Sequence, residues 1–278
     1  MAEFYSSYKG IYLPKCCTPE GLKYWEQFTF RPDDIIVATY PKSGTNWTLD
    51  LVPLVLSGGD SSLVDSVPTW KRTPLIGEKD EGLCVISETQ PSPRIMASHF
   101  HYNAMPESFF QVKPKVINVM RNPKDVLVSC FHYFKRDTNY HVASSLTDFL
   151  HLFLEGEVSF SSWFDHVKSW LNVEDKSHIL YLTYEDMLQD LPQAIKKTAE
   201  FLDKPLEDEA IERITDRCLF KNMKKHNTFK DQILDHSAFY RKGIAGDWKN
   251  HLSEKEGQLV DAVFKEKMKD VDFEFTWD

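Results

Sequence analysis

The chain has 278 residues, 42% hydrophobic and 13% aromatic, enough to bury a substantial core in one large domain or two small ones. Its 27% charged residues and mean hydropathy of -0.41 exclude a polytopic membrane protein. Against 42 Asp and Glu stand 33 Lys and Arg, a net charge of -9, which argues against a general nucleic-acid binder because counterion release needs a basic surface.

Short apolar, β-branched runs read as buried strands at Ile35–Thr39, Arg94–Ser98, Val116–Met120 and Ile179–Thr183. A helix is predicted after the first of them from Leu49, Val52 and Leu56. Further helical stripes are carried by Trp163, Val167, Trp170 and Leu171, by Ala194, Ile195, Ala199 and Leu202, and by Leu259 and Val263 with Val260, Phe264 and Met268. The segment Gly77–Gly82, charged between two glycines, reads as a mobile surface loop. The alternation of strand and helix predicts an α/β fold: a central parallel sheet flanked by helices, with ligands at the carboxyl ends of the strands. With no repeat, low-complexity tract or linker, residues 1–278 read as a single domain.

Cysteines at 16, 17, 84, 130 and 218 are odd in number and lack a C-x-x-C pair, so neither a disulfide framework nor a zinc site fits and reduced thiols are expected. The start, Met1–Tyr5, shows no signal-peptide pattern and no glycine for myristoylation, so a cytosolic protein is expected. Asn46-Trp47-Thr48 matches the glycosylation acceptor pattern by coincidence on that reading.

Cations stand where the predicted strands end. Ile35–Thr39 runs into Tyr40-Pro41-Lys42-Ser43-Gly44-Thr45-Asn46-Trp47 and then a helix, a P-loop-like arrangement in which backbone N–H groups, a helix N-terminus and a lysine converge on an anion. The order differs from Walker A, because Lys42 precedes the glycine; a surface turn with a solvated lysine is the competing reading. Met120 is followed by Arg121-Asn122-Pro123-Lys124-Asp125, with Ser129 in the next apolar stretch; an Arg fork and a hydroxyl suit a phosphate, and a salt bridge of Arg121 to Asp125 or Asp137 is equally open. Near the C-terminus, Arg241-Lys242-Gly243 reads either as a third anion contact or as a basic loop capping a helix.

Together these segments resemble the cytosolic sulfotransferases, which transfer the sulfuryl group of 3′-phosphoadenosine 5′-phosphosulfate (PAPS) to small acceptors. The resemblance runs from Tyr8-Lys9-Gly10 and Phe30-Arg31-Pro32-Asp33-Asp34, through T-Y-P-K-S-G-T-x-W and R-N-P-x-D, to R-K-G-x-x-G-D-W-K-N. Pro91-Ser92-Pro93-Arg94 before Ser98-His99 is similar to the hydroxysteroid branch in its fish-like versions. By resemblance, Lys42, Ser43, Gly44, Thr45, Asn46 and Trp47 hold the 5′-phosphosulfate and the adenine side. Arg121, Ser129, Arg241, Lys242 and Gly243 take the 3′-phosphate, and Tyr184, Phe220 and Met223 complete the nucleotide pocket, with Cys218 and Leu219 beside them. His99 falls on the general base and Lys42 on the group that stabilises the leaving phosphate, roles that suit a loose in-line transfer needing no divalent metal. His101 competes with His99 on proximity alone. An apolar acceptor pocket is assigned to Trp70, Tyr133, Phe134 and Phe239, among aromatic residues that core packing accounts for equally well.

Three departures qualify the resemblance. Ala97-Ser98-His99 replaces Lys-Thr-His, which points away from phenols and toward an alcohol acceptor such as a hydroxysteroid. Cys218-Leu219 replaces a hydroxyl-bearing pair, so weaker PAPS affinity is expected. The family's dimer motif K-x-x-x-T-V-x-x-x-E becomes Lys249…Ser253-Glu254…Gln258, so a monomer or weak homodimer is expected. The alternatives are a phenol sulfotransferase, a nucleotide kinase, or a non-catalytic nucleotide-binding module. The kinase reading lacks a Walker glycine and a metal carboxylate; intact Lys42 and His99 count against the binding module.

Overall fold

Four of the apolar runs pair as a parallel sheet in the computed structural model, which describes residues 5–75, 90–137, 139–226 and 240–277. An antiparallel pair, β1 (Ser6–Tyr8) and β2 (Ile11–Leu13), leads through α1 (Pro19–Glu26) to β3 (Ile35–Thr39) and α2 (Thr45–Leu56). Two short helices, α3 (Ser62–Ser66) and α4 (Thr69–Arg72), precede β4 (Ile95–Ser98); α5 (Glu107–Val112) then leads to β5 (Lys115–Met120) and α6 (Pro123–Phe134). After α7 (Leu146–Glu155) and α8 (Trp163–Leu171) come β6 (Ile179–Thr183) and α9 (Tyr184–Gln189). The chain continues through α10 (Leu191–Phe201), α11 (Asp208–Cys218), α12 (Phe220–Lys225) and α13 (Glu254–Lys267). The charged segment 77–82 lies outside the described residues.

The sheet order is β4-β3-β5-β6, all parallel. Alternate residues of the central strands enter different cores. Ile36, Ala38, Val116 and Met120 join a cluster with α6, α7 and α8, while Ile35, Val37, Ile117 and Val119 join α2, α10 and α11 on the other face. Burial on both faces explains why these strands read as continuous apolar runs rather than alternating ones.

At the entry side of the sheet, Arg94 forks onto Asp34, with Nε donating to Oδ1 over 2.8 Å and Nη2 to Oδ2 over 2.5 Å. Both side chains are buried, so this pair ties the starts of β3 and β4; removing one partner would cost about 3–5 kcal/mol. The observed β4 begins one residue after the predicted strand, although the Arg94 carbonyl already accepts from the Ile35 N–H over 2.9 Å. Register then fixes the exit side: Ala38 lies beside Ser98, Thr39 beside Val119, and Met120 beside Thr183. The residues that follow the strands, Lys42, His99, Arg121 and Tyr184, are thereby delivered to one edge of the sheet.

Candidate active site

A cavity of about 620 Å³ opens at that edge, and Lys42, His99, Arg121 and Tyr184 all line it. Its walls also include Gly44, Thr45, Asn46, Trp47, Ser129 and Tyr133, together with residues of α11, α12 and the segment 240–244.

The loop after β3 turns through two left-handed residues, Lys42 at φ 68° and Gly44 at φ 111°. For Gly44 this is inexpensive; for Lys42 it costs on the order of 1–3 kcal/mol and persists only where neighbours hold it. Arg121 is one such neighbour, donating from Nη1 to the Lys42 carbonyl over 3.1 Å. The Lys42 ammonium lies 4.1 Å from the centroid of the Tyr133 ring. Burial pushes Lys42 down to about 8, and the like charges of Arg121 and Arg241 act in the same direction.

His99 is 8% exposed. Its Nδ1 lies 2.7 Å from the Thr39 carbonyl, and a carbonyl only accepts, so Nδ1 carries the proton and Nε2 keeps the basic lone pair. Burial pushes the imidazole down to about 4; the Lys42 charge adds to this, while the Thr39 carbonyl opposes it. His101 does not line the cavity. Its Nε2 donates to the Phe160 carbonyl over 3.1 Å, which separates two histidines that proximity alone left in competition.

Arg121 pairs with neither Asp125 nor Asp137. Its Nη2 donates to the Ile244 carbonyl over 3.1 Å, and its guanidinium stacks 4.1 Å above the Tyr184 ring. Asp125 instead accepts from the backbone N–H groups of Gly246 and Trp248, at 2.7 and 3.0 Å. That contact fixes the C-terminal basic segment over α6, whose start is capped by the Asn122 side chain and set by Pro123. Asp247, whose side chain is fully buried, accepts from Arg241 Nη1 at 2.5 Å, Lys242 Nζ at 2.6 Å and Asn250 Nδ2 at 3.0 Å. Burial alone would raise this carboxyl, but the bonds from Lys242, Asn250 and Arg241 hold it well below the usual range. Asp125 and Asp247 were given no such role on sequence grounds, although both lie inside the R-N-P-x-D and R-K-G-x-x-G-D-W-K-N segments.

On the aromatic side, Trp47 and Tyr184 meet edge-to-face with centroids 5.3 Å apart, and Phe220, Met223, Cys218 and Leu219 continue the wall. Burial pushes the Cys218 thiol up, so it stands there as a neutral apolar group. Of the assigned residues, Ser43 is fully buried and does not line the cavity. Phe134 is likewise absent from the wall, because it packs into the core, stacked on Tyr140 with centroids 4.4 Å apart. Phe239 and the Trp70 side chain lie outside the described residues. Cys17, Cys130 and Cys218 are free thiols, and Cys84 lies outside the described residues.

The donor set fits a nucleotide that carries anionic groups at two ends. Trp47 Nε1 and Arg121 Nε, on the cavity wall, are buried and make no hydrogen bond within the protein, as expected of donors reserved for a ligand. Among the described residues no cluster of three or more His, Cys, Asp or Glu is placed to hold a metal ion, and no helix is long and apolar enough to cross a membrane.

Comparison with known proteins matches the sulfotransferase domain over residues 32–272. Sulfotransferase 2B1 of Mus musculus is 40% identical over 283 residues, covering 99% of this chain and 83% of that protein. The 3-beta-hydroxysteroid sulfotransferase of Cavia porcellus is 37% identical over 269 residues, covering 94% and 93%. Among solved structures, mouse sulfotransferase SULT7A1 complexed with PAP superposes with a TM-score of 0.82 at 31% identity and covers 96% of each chain. With this fold, this exit-edge site and a match over most of its length, the chain belongs to the sulfotransferase family.

Proposed function

We propose that the chain transfers the sulfuryl group of PAPS to the hydroxyl of an apolar alcohol, a hydroxysteroid or a close analogue. PAPS, when bound, supplies the sulfuryl group and leaves as PAP. Arg121, Arg241 and Lys242 supply positive charge at the end of the cavity bounded by 240–244, while Trp47, Tyr184 and Phe220 offer faces for a base. Lys42 provides the cation nearest the His99 end and stabilises charge on the departing phosphate oxygen. His99 accepts the acceptor's proton at Nε2, the nitrogen left basic by the bond of Nδ1 to Thr39.

The observation that carries this reading is the presence of His99, in its basic tautomer, and Lys42 on the wall of one cavity. An alcohol favours it over a phenol, because alcohols ionise far above neutrality and need an aligned base, and because Ala97 on the wall supplies no second cation. A single domain over residues 1–278, a cytosolic location and a small-molecule acceptor complete the proposal; the net charge of -9 speaks against a nucleic-acid partner.

The test is radiolabelled PAPS with a panel of phenols, aryl amines, primary alcohols and hydroxysteroids. Steroid alcohols should be turned over fastest, and His99→Ala should abolish their sulfation while PAP binding is retained. Faster turnover of simple phenols, or near-normal activity of His99→Ala, would overturn the reading.

A further inference from the structure

Behind His99, away from the cavity, the backbone takes a conformation that side chains disfavour. Phe160 and Ser161 are consecutive left-handed residues, with φ of 65° and 58°. Such a pair persists where its surroundings over-determine it. Three elements do so here. The Phe160 N–H donates to the Tyr12 carbonyl of β2 over 2.6 Å, and the Tyr12 N–H returns a bond to Ser161 Oγ over 2.8 Å. The Tyr40 hydroxyl donates to the Ser161 carbonyl over 2.8 Å, and His101 Nε2 donates to the Phe160 carbonyl over 3.1 Å. Tyr40 stands two residues before Lys42, and His101 two after His99, so the anchors of this turn and the reacting groups share the same two segments.

The side chain that the turn presents is the Phe160 ring, 2% exposed and absent from the cavity wall. It meets the His99 imidazole edge-to-face, centroids 5.1 Å apart and planes at 73°. Nδ1 meets Thr39 at its carbonyl over 2.7 Å and at its Oγ1 over 3.3 Å, but both contacts act on one atom of the imidazole and leave its plane free to turn about that point. The ring of Phe160 removes that freedom.

We infer that Phe160 is a positioning residue: its ring, held by the anchored turn, sets the plane of the His99 imidazole and shuts water from its rear, so that Nε2 meets the acceptor hydroxyl. This rests on His99 being the base. The titratable groups around the imidazole are Lys42 from the loop after β3, His101 beyond β4 and His166 from α8. Burial holds both neighbouring histidines below their ordinary value, which leaves Lys42 as the charge that acts on His99.

The experiment follows Phe160→Ala and Phe160→Leu by steady-state kinetics and by NMR titration of His99, with His99→Ala alongside. Phe160→Ala should lower kcat for a steroid alcohol about tenfold or more with the KM for PAPS within about twofold. The acidic limb of kcat/KM, and the His99 titration with it, should move up about one pH unit or more toward the ordinary 6.5, because water regains the imidazole. Phe160→Leu keeps apolar bulk without a ring and should move the same way by less, so it decides the matter if the alanine variant does not fold. Folded Phe160 variants with wild-type kcat and an unmoved limb, beside an inactive His99→Ala, would overturn the positioning role alone. Activity retained in His99→Ala would instead remove the base assignment on which it rests.

Discussion

Gly243 lies under the Phe220 ring so closely that a Cβ added there would stand 2.1 Å from Cδ2 and 2.4 Å from Cγ. Its φ of 69° disfavours a side chain independently. The flanking residues Arg241 and Lys242 are the cations at this end of the cavity, so a side chain at 243 must displace either them or the aromatic wall.

Gly243→Ala should therefore weaken nucleotide binding. A loss on the order of tenfold in PAP affinity by calorimetric titration is expected, equivalent to about 1.4 kcal/mol. The thermal midpoint should change little, since the segment is at the surface rather than in either core. Wild-type affinity in this variant would show that Phe220 and the basic segment do not share the ligand.

Lys42 and Arg121 should separate in kinetics although they touch. Lys42→Ala removes a preorganised cation near the reacting end and should lower kcat by about 10² or more. Arg121→Ala should raise the KM for PAPS more than it lowers kcat, since its guanidinium stacks on Tyr184 at the nucleotide end. Because Arg121 also holds the Lys42 carbonyl, a modest kcat loss is expected with it. An unchanged dependence on PAPS concentration would remove Arg121 from nucleotide binding.

The sheet and the site were legible in sequence to different depths. The four strands read correctly because burial on both faces leaves an unbroken apolar signature, and Lys42 and Arg121, which come soon after β3 and β5, line the cavity at the sheet's exit edge. Phe134 does not. One residue along α6 is a rotation of about 100°, so Tyr133 meets the cavity while Phe134 meets Tyr140 and the core. The basic tautomer of His99 was also out of reach, because the Thr39 carbonyl that fixes it is brought there by the parallel register of β3 and β4. Asp125 was visible as a residue but not as a partner, since the backbone groups it binds are more than a hundred residues distant in sequence.

The altered dimer segment folds as the start of α13, where Ser253 and Glu256 form a reciprocal capping box. Glu254 is exposed in the first turn, where a carboxylate suits the helix dipole. Pressing it into a small two-fold contact would desolvate a charge in each subunit, a penalty of several kcal/mol that a contact of ten residues does not return. Sedimentation should report a monomer or a weak dimer. A tight dimer lost only when residues 249–258 are changed would contradict this.

The pH profile follows from the two reacting groups. Turnover on the proposed mechanism needs His99 neutral and Lys42 charged. His99 is depressed to about 4, so it remains an available base as pH falls well below its ordinary 6.5, and the acidic limb of kcat/KM should lie near 4 to 5 rather than near 6.5. Lys42 is depressed to about 8 from 10.5, so its charge is lost as pH rises through that value, and the alkaline limb should fall near 8. The result is a bell whose plateau spans about four pH units in kcat/KM, which reports the free enzyme. Arginine keeps its charge throughout this range, so Lys42→Arg should abolish the alkaline limb even where its different shape lowers the plateau. An alkaline limb that survives Lys42→Arg unchanged would assign that ionisation to another group and detach Lys42 from the charge requirement of the chemical step.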